Sequence, residues 1–409
     1  MIRIDADLLI PGRGEPVPRG TVLLDGATIS YAGPRATAPS TPEAEAFEVP
    51  VALPGLWECH GHFLGTPIPD LERIATASPV TLAAQATADL AATLAGGVTS
   101  VREVGGLGID LREVVARGSI PGPTIHPAGA ILSPTGGHAD IHGLPLDFVR
   151  SLPERGLVFQ ELCDGVTECL RAVRRQLRRD AKVIKVCASG GVMSEVDHPI
   201  HQQFGDDELR AIVAEAERAE RVVAAHCHGK PGIMAALRAG VKTIEHGTYL
   251  DEEAADLMLE TGAILVPTRF VIDELLGMED RLPGYAYEKA VAIAARHAEA
   301  LELAVAKGIP IAMGTDIFVS GPLYGRNARE IRHLIDAGMS PLQAIEAATA
   351  NGPRTLGPQA PRSGLLAPGY AADVVALDFD PLADPAPWGD PDRVTHVWKA
   401  GETVKRPAS

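Results

Sequence analysis

The chain has 409 residues, of which 46% are hydrophobic and 22% charged, and its formal net charge at pH 7 is −16. This composition excludes a disordered chain and a coiled coil, and the length accommodates a (β/α)8 barrel of roughly 250 residues with a smaller domain beside it. The acidic charge would repel a phosphate backbone, so we predict no nucleic acid partner.

The localisation is predicted from three further features. No apolar run reaches the roughly 18 residues that a membrane-spanning helix needs, so we predict no membrane partner. The first residues, MIRIDADLLIPGRG, carry acids where a signal peptide has a basic segment. The five cysteines are an odd number without the spacing of a disulfide framework. We therefore predict free thiols in a reducing compartment, the cytoplasm.

The chain begins and ends with short β-like segments. The first fifty residues alternate such segments with turns rich in glycine and proline, and the pattern returns after residue 352 in GYAADVVALDFDPLA and RVTHVWKAGETVK. Neither end is long enough to bury a core alone, so we predict that the two ends pair with each other. The predicted small domain comprises residues 1–54 and 363–409.

Eight apolar runs between the two ends alternate with helical periods of ten to twenty residues. In chain order the runs are VALPGLWECHGH, VTSVREVG, PTIHPAGA, KVIKVCASGG, VVAAHCHG, TIEHG, AILVPT and IPIAMGTD. Such alternation is typical of βα units and a parallel sheet. Eight parallel strands with intervening helices close most simply as a barrel, so we predict an α/β fold with a (β/α)8 TIM barrel over residues 55–362.

Five histidines and one aspartate lie at the carboxyl ends of predicted barrel strands. They are His60 and His62 on strand one, His226 and His228 on strand five, His246 on strand six and Asp316 on strand eight. Because the strand ends of a barrel converge on one mouth, we expect these side chains to meet. His60 and His62 also share one face of an extended segment. Imidazoles and a carboxylate are ligands of divalent transition metals, so the set predicts a metal site.

Lys185 is an anomalous residue within an apolar strand. The chain has only eight lysines against 29 arginines, and none precedes residue 182. A buried ammonium costs several kcal/mol unless it is paired or neutralised, whereas a lysine amine can lose its proton and react. Uptake of CO2 would convert Lys185 into a carbamate whose two oxygens can reach two metals. We favour this interpretation over an ion-pair role, which we assign to Lys182.

These motifs resemble the amidohydrolase superfamily. LPGLWECHGHFLG matches its strand-one H-x-H motif, and TSVREVGG, SPTGGH, ASGGVMS and IEHGTYLD are similar to the imidazolonepropionase-like branch, which contains binuclear-zinc prolidases and dipeptidases. The resemblance implies a small β-sandwich built from both termini and a possible homo-oligomer. It also implies two divalent metals, with zinc preferred, and a carboxylated Lys185 between them. The implied ligands are His60, His62 and Asp316 on one metal, and His226 and His246 on the other.

The expected reaction is hydrolysis of an amide or peptide bond by a hydroxide held between the metals, with Asp316 as the acid and base. The expected substrate is a small molecule, either an Xaa-Pro-like dipeptide or an N-acyl amino acid. Hydrolysis of carbamates, ureas, esters or cyclic amides stays open as an alternative, and a non-catalytic binding protein is the alternative from another class.

Six further residues are candidates for catalysis or substrate contact. His138 and His228 are expected to assist catalysis and, with Tyr249, to contact the substrate. Arg269 is a candidate clamp for a substrate carboxylate. His198 and His201 lie on the loop EVDHPIHQQF, a candidate lid over the site. The family's dipeptidases often have tyrosine where this chain has His228, which leaves the substrate open.

Overall fold

The first strands belong to a sheet that both ends of the chain share. The structure is a computed structural model, which describes residues 1–157 and 159–407. The N-terminal strands are β1 (Ile2–Leu9), β2 (Val17–Asp25), β3 (Thr28–Pro34) and β4 (Glu45–Pro54). β1 pairs antiparallel with β2 and parallel with β4. Ile2, Ile4 and Ala6 are buried while the residues between them are less so, the period of a strand with one face on a core.

The central strands are parallel and lie in two sheets. They are β5 (Leu56–Gly61), β6 (Val98–Glu103), β7 (Thr124–Pro127), β8 (Ile131–Ser133), β9 (Gln160–Leu162), β10 (Ile184–Cys187), β11 (Val223–Cys227), β12 (Thr243–His246) and β13 (Ile264–Val266). The sheet orders are β5-β6-β7 and β13-β12-β11-β10-β8-β9. β5, β6 and β10 to β13 are buried along their whole length, which is typical of parallel strands covered on both faces.

The eighth predicted strand, residues 309–316, is not a regular strand. Only Ile311 forms a parallel bridge to β13. On the other side, the backbone N–H of Asp316 donates to the carbonyl of His60 at 2.9 Å. Pro310 has no N–H to donate, and the N–H of Thr315 donates to the side chain of Glu58 at 2.9 Å, so a continuous ladder does not form. The segment nevertheless lies between β13 and β5.

The third predicted strand is interrupted, and two short strands were not predicted. β7 ends at Pro127, and Gly129 follows with φ of +77°, a conformation that glycine adopts without steric cost. The chain then resumes as β8, which pairs with β10 and with the unpredicted β9. The predicted strand is therefore formed only as β7, which pairs with β6, and the unpredicted β8 that follows it pairs with β10.

The C-terminal strands complete the terminal sheet. They are β14 (Val374–Leu377), β15 (Val394–Lys399) and β16 (Glu402–Lys405). β14 pairs antiparallel with β4, so the sheet order is β16-β15-β14-β4-β1-β2-β3. Ile4, Val374 and Trp398 share one apolar cluster on this sheet. The predicted pairing of the two chain ends is confirmed.

Helices follow most of the central strands. The α-helices are α1 (Leu71–Thr76), α2 (Pro79–Ala95), α3 (Gly108–Ala116), α4 (Leu146–Ser151), α5 (Gly165–Arg178), α6 (Asp206–Glu217), α7 (Lys230–Ala239), α8 (Glu252–Thr261), α9 (Arg269–Leu276), α10 (Gly284–Lys307), α11 (Arg329–Asp336) and α12 (Pro341–Ala347). Local signals set their ends: Asp251 accepts the N–H of Ala254 at the start of α8, and Gly262 ends it with φ of +65°. Within the described residues, none of these helices has the length and apolarity needed to cross a bilayer.

All five cysteines carry free thiols in buried positions. Burial raises the pKa of Cys59 and of Cys187 to about 12. These thiols are therefore protonated at neutral pH and unsuited to act as nucleophiles. The prediction of free thiols is confirmed.

Candidate metal centre and active site

Four of the predicted ligands meet at the carboxyl end of β5. The Nε2 atoms of His60 and His62 lie 3.6 and 3.2 Å from Oδ1 of Asp316. Nζ of Lys185, on β10, lies 3.5 Å from Nε2 of His60. The side chain of Asp316 is 21% exposed, whereas that of His60 is 2% exposed. The strand ends thus join residues that are up to 256 positions apart, as expected for parallel strands with a common mouth.

Three more histidines extend this cluster. Ligand atoms of His226, His228 and His246 lie within 4.8 Å of one another, and one of His246 also lies within 4.8 Å of those of His60 and Asp316. The ring of His228 stacks on that of His246 with centroids 4.7 Å apart. All six predicted ligands therefore lie in one connected cluster, and its geometry also admits His228 as a ligand.

The backbone is left-handed at three strand ends around this cluster. The φ angles are +69° at His246, +58° at Thr268 and +59° at Asp316. Each such residue costs about 1–3 kcal/mol, and strain of this kind concentrates at functional sites. Adjacent residues of a regular strand face opposite sides, and the left-handed backbone at His246 changes the direction of its side chain. Here Glu245 and His246 both have partners on the side of the centre.

A buried ion pair supports His60 from behind. Oε2 of Glu245 lies 2.7 Å from Nδ1 of His60, and the same carboxylate accepts two bonds of 2.8 and 2.7 Å from Arg102. Arg102 also donates to the carbonyl of Cys59 at 2.6 Å and to Oγ1 of Thr243 at 2.8 Å. Such an arrangement fixes the imidazole and makes it a better metal ligand. Sequence analysis missed Glu245, although an acid in the apolar run TIEHG was the available signal.

A second buried carboxylate, Glu58, fixes the end of β5. It accepts the N–H of His60 at 2.8 Å, the N–H and hydroxyl of Thr315 at 2.9 and 2.6 Å, and the side-chain amide of Asn327 at 2.8 Å. Burial raises the pKa of Glu58 despite these bonds. Glu58 therefore ties the His60 segment to the Asp316 segment, and it too was missed.

Burial favours the neutral forms of the basic ligands. Desolvation lowers the pKa of Lys185, lowers that of His60 to about 4, and lowers those of His226 and His246 well below the ordinary value. Burial alone would raise the pKa of Asp316, but the adjacent His60 keeps it below the ordinary value. Neutral imidazoles and an ionised carboxylate are the forms that bind divalent cations.

A cavity of about 110 Å³ opens above the cluster. His62, His138 and Asp316 line it on the polar side. The remaining wall is largely apolar and includes Leu64, Leu71, Ile131, Phe159, Met193 and Phe318. Few polar groups converging in an apolar cavity are typical of a small-molecule site. The structure places the predicted contact His138 here, with its ring stacked on His226 at 4.2 Å between centroids.

The other predicted contacts lie away from this cavity, and their roles stay predictions. The guanidinium of Arg269 donates to Asp273 at 2.6 Å and to a carbonyl of α10 at 2.7 Å. Tyr249 packs in an apolar cluster, and its N–H donates to the carbonyl of His228 at 2.8 Å. His198 and His201 are exposed on the predicted loop, with ring centroids 5.3 Å apart.

The parallel strands bring imidazoles, a carboxylate and a buried lysine together at their carboxyl ends. This arrangement is typical of an α/β hydrolytic enzyme with a potential metal site. The sequence model of the Amidohydrolase family matches residues 51–404. The chain belongs to the amidohydrolase family, whose members are generally metal-dependent. It is a hydrolase that acts on amide bonds.

Two groups of relatives are similar to the chain over nearly its whole length. Ochratoxinase of Aspergillus niger is 43% identical over 99% of this chain and 86% of its own, and its crystal structure superimposes with a TM-score of 0.91, covering 100% and 96%. A prolidase complexed with N-methylphosphonate-L-proline is 34% identical, with a TM-score of 0.91 and 99% coverage of both chains. A Xaa-Pro dipeptidase with bound methionine is 31% identical, with a TM-score of 0.89 and 99% coverage of both chains.

Proposed function

We propose that the protein is a binuclear metal-dependent amidohydrolase that cleaves the amide bond of a small N-acyl amino acid. The observation that carries the proposal is the position of Lys185, whose Nζ lies 3.5 Å from a predicted metal ligand. The side chain is 2% exposed and has no carboxylate within ion-pair distance among the described residues. An unpaired ammonium is costly at such a position, whereas a carbamate would balance the charge of nearby cations.

The donor set fits two divalent cations. His60, His62 and Asp316 would hold one, His226 and His246 the other, and a carboxylated Lys185 would contribute to both. Burial lowers the pKa of Lys185, and the neutral amine is the form that reacts with CO2. Nitrogen ligands with one or two carboxylates suit zinc better than magnesium or calcium.

The reaction we propose breaks the amide C–N bond and forms a C–O bond with water. When bound, the cations would lower the pKa of that water and polarise the substrate carbonyl. The carboxylate of Asp316, which is partly exposed beside the cavity, would take the proton from the attacking water and return it to the leaving nitrogen. Phe159 and Phe318 would exclude bulk water from this exchange.

The apolar wall favours an N-acyl amino acid with an apolar acyl group. Ile131, Phe159 and Phe318 offer contact area for such a group, and lysine and arginine do not line this cavity in the described residues. The 43% identity to ochratoxinase supports an amide as the bond that is cleaved. A dipeptide of the Xaa-Pro type is the second candidate, supported by the similarity to a prolidase and to a Xaa-Pro dipeptidase.

We further propose that the two parallel sheets form one (β/α)8 barrel over residues 55–362. This proposal is supported by the segment before Asp316, which forms backbone hydrogen bonds with β13 on one side and with β5 on the other. The seven-stranded terminal sheet would then belong to a separate small β-sandwich domain of residues 1–54 and 363–409.

Substitution of Lys185 by alanine tests the proposed centre. We expect Lys185→Ala to lose about 10³-fold or more in kcat/KM and to bind fewer than two zinc ions, because the shared ligand is gone. A short carboxylic acid such as acetate or propionate, added at millimolar concentration, should restore part of the activity. Zinc is quantified by plasma mass spectrometry on the enzyme purified with and without the acid.

Lys182→Ala is the matched control, since Lys182 lies three residues earlier and pairs with Asp180 at 2.7 Å. It should keep wild-type zinc content and activity. Full activity of Lys185→Ala without added acid would contradict the proposed centre, as would less than one zinc equivalent in active wild-type enzyme.

A substrate panel tests the proposed class. The zinc-loaded enzyme is assayed with N-acyl amino acids of increasing acyl size, with ochratoxin A and with Xaa-Pro dipeptides. We expect kcat/KM to be largest for an apolar aromatic acyl group. Faster hydrolysis of every Xaa-Pro dipeptide would select the second candidate, and no hydrolysis of any compound would refute the proposed function.

A further inference from the structure

The loop between β10 and α6, residues 188–205, contains a polar chain that ends at His138. The hydroxyl of Ser194 donates to Oδ1 of Asp197 and lies 2.8 Å from Nδ1 of His138. Asp197 also accepts the N–H of Gly191 at 3.1 Å and the side-chain amide of Gln203 at 2.9 Å. Ser194 is 3% exposed, and the side chain of Asp197 is 5% exposed. The chain is therefore largely shielded from water.

The number of protons in this chain fixes the tautomer of His138. Ser194 has one hydroxyl proton, which it gives to the carboxylate of Asp197, so its oxygen has only lone pairs for His138. The proton between Ser194 and His138 must then be on Nδ1, and Nε2 is unprotonated in the neutral ring. Nε2 of His138 has no hydrogen-bond partner among the residues the structure describes, and the ring lines the cavity above the candidate metal centre.

Packing fixes the position of the same ring. It stacks on His226 with an interplanar angle of 21°, and its other face leaves no room for a side chain at residue 191. A Cβ on Gly191 would lie 2.1 Å from Cε1 of His138. Lys289 of α10 holds the loop from outside, donating to the carbonyls of Ser194 and Asp197 at 2.6 Å each. The loop and the ring thus determine each other's position.

We propose that Ser194 and Asp197 are positioning residues that hold His138 with an unprotonated Nε2 facing the substrate. His138 then accepts a hydrogen bond from an N–H group of the substrate, such as the amide N–H of an N-acyl amino acid. A substrate carboxylate is disfavoured at this point, because two acceptors would face each other. This inference rests on the proposed function and adds the direction of one hydrogen bond, which the substrate donates and His138 accepts.

Enzyme kinetics of a double-mutant cycle test the inference. The variants are Ser194→Ala, Ser194→Thr, His138→Gln and the double variant Ser194→Ala/His138→Gln, with Ser119→Ala, an exposed serine of another segment, as control. We expect Ser194→Ala to lose about 10- to 100-fold in kcat/KM with unchanged zinc content, and Ser194→Thr to stay within about threefold of wild type. Removing the Ser194 hydroxyl should have no further effect when His138 is already glutamine.

A spectroscopic readout does not depend on activity. In the ¹⁵N NMR spectrum of the histidine-labelled, zinc-loaded enzyme, the signals absent from His138→Gln identify His138. They should show protonated Nδ1 and unprotonated Nε2 in wild type, and this pattern should be lost in Ser194→Ala.

The outcomes distinguish failure of this inference from failure of the proposed function. A protonated Nε2 in wild-type neutral His138 overturns the inference even if no substrate is found. If the wild-type enzyme is active, a kcat/KM of Ser194→Ala within twofold of wild type overturns the inference. Loss of zinc from Ser194→Ala also overturns it, and so do additive effects of the two substitutions on kcat/KM in the double variant. Absence of hydrolysis by wild type refutes the proposed function and leaves the spectrum to decide the inference.

Discussion

The two sides of the candidate centre are supported by different chemistry. We call them the β5 side, with His60, His62 and Asp316, and the β12 side, with His226 and His246. On the β5 side, Nδ1 of His60 lies 2.7 Å from the carboxylate of Glu245, which Arg102 binds in turn. On the β12 side, Nδ1 of His246 lies 2.7 Å from the hydroxyl of Thr268. A carboxylate can only accept, and its charge strengthens the bond, whereas a hydroxyl is neutral. In the proposed centre, the β5 side would therefore hold its cation more firmly than the β12 side.

The difference is concentrated at His60, because Nδ1 of the neighbouring ligand His62 lies 2.6 Å from the backbone carbonyl of Gly105. The backbone of His60 is fixed by the buried carboxylate of Glu58 at 2.8 Å. Among the residues that the structure describes, the ring of His226 has only a backbone carbonyl as partner, that of Gly190, 3.1 Å from its Nε2. Anionic groups behind a histidine raise its basicity and tend to increase metal affinity. The β5 side therefore combines charge and rigidity, and the β12 side leaves its ligands more freedom to exchange or to accommodate a substrate.

Asp316 is the carboxylate of the β5 side and lines the cavity beside His62, and its substitution should have the largest effect. Asn is similar in size but cannot take up a proton, so we expect Asp316→Asn to lower kcat by about 10²- to 10⁴-fold with a smaller change in KM. Steady-state kinetics of the zinc-loaded variant measure this. Asp336→Asn, at the exposed end of α11, is the control. A kcat within tenfold of wild type would remove Asp316 from proton transfer.

Sequence reasoning pointed to members of the cluster where a residue conflicts with its surroundings or where strand ends converge. Lys185 was found because an ammonium in the apolar strand KVIKVCASGG requires an explanation, and His60 and Asp316 because strand ends of a barrel converge. Glu245 gives the same signal, an acid within the apolar run TIEHG. The buried partner Arg102 lies in the predicted strand VTSVREVG, where sequence reasoning assigned it no role.

The remaining groups had no comparable signal. Ser194 and Thr268 are small polar residues in loops, where serine and threonine are common, and their roles depend on tertiary contacts with His138 and His246. The interruption of the third strand at Gly129 and the irregular eighth strand also depend on which neighbours supply hydrogen bonds. Sequence periodicity does not contain that information.

Glu245→Gln tests the stronger side of the comparison. The amide keeps the shape but loses the charge, which leaves Arg102 buried without an anion, so we expect a loss of about 3–5 kcal/mol in the free energy of unfolding. The support of His60 also weakens, and zinc affinity at the tighter site should fall by about 10- to 100-fold. Urea unfolding and competition with a zinc chelator measure the two effects.

Glu288→Gln, an exposed glutamate on α10, controls for the loss of one charge. If Glu245→Gln weakens only the looser zinc site, the assignment of the firmer cation to the β5 side is wrong. A variant that unfolds too readily for zinc titration still reports the stability of the Arg102 pair.

Thr268→Val should have the smallest effect, because it removes one neutral hydrogen bond from the weaker side. Valine keeps the β-branched shape at this left-handed position, so the backbone strain is the same in both proteins. A hydrogen bond of this kind contributes about 1 kcal/mol, which corresponds to roughly fivefold in zinc affinity. Only the looser site should weaken, and Thr261→Val at the exposed end of α8 should change neither site. An effect as large as that of Glu245→Gln would mean that the two sides hold their cations equally, since a neutral hydroxyl would then match a carboxylate in its support of a ligand.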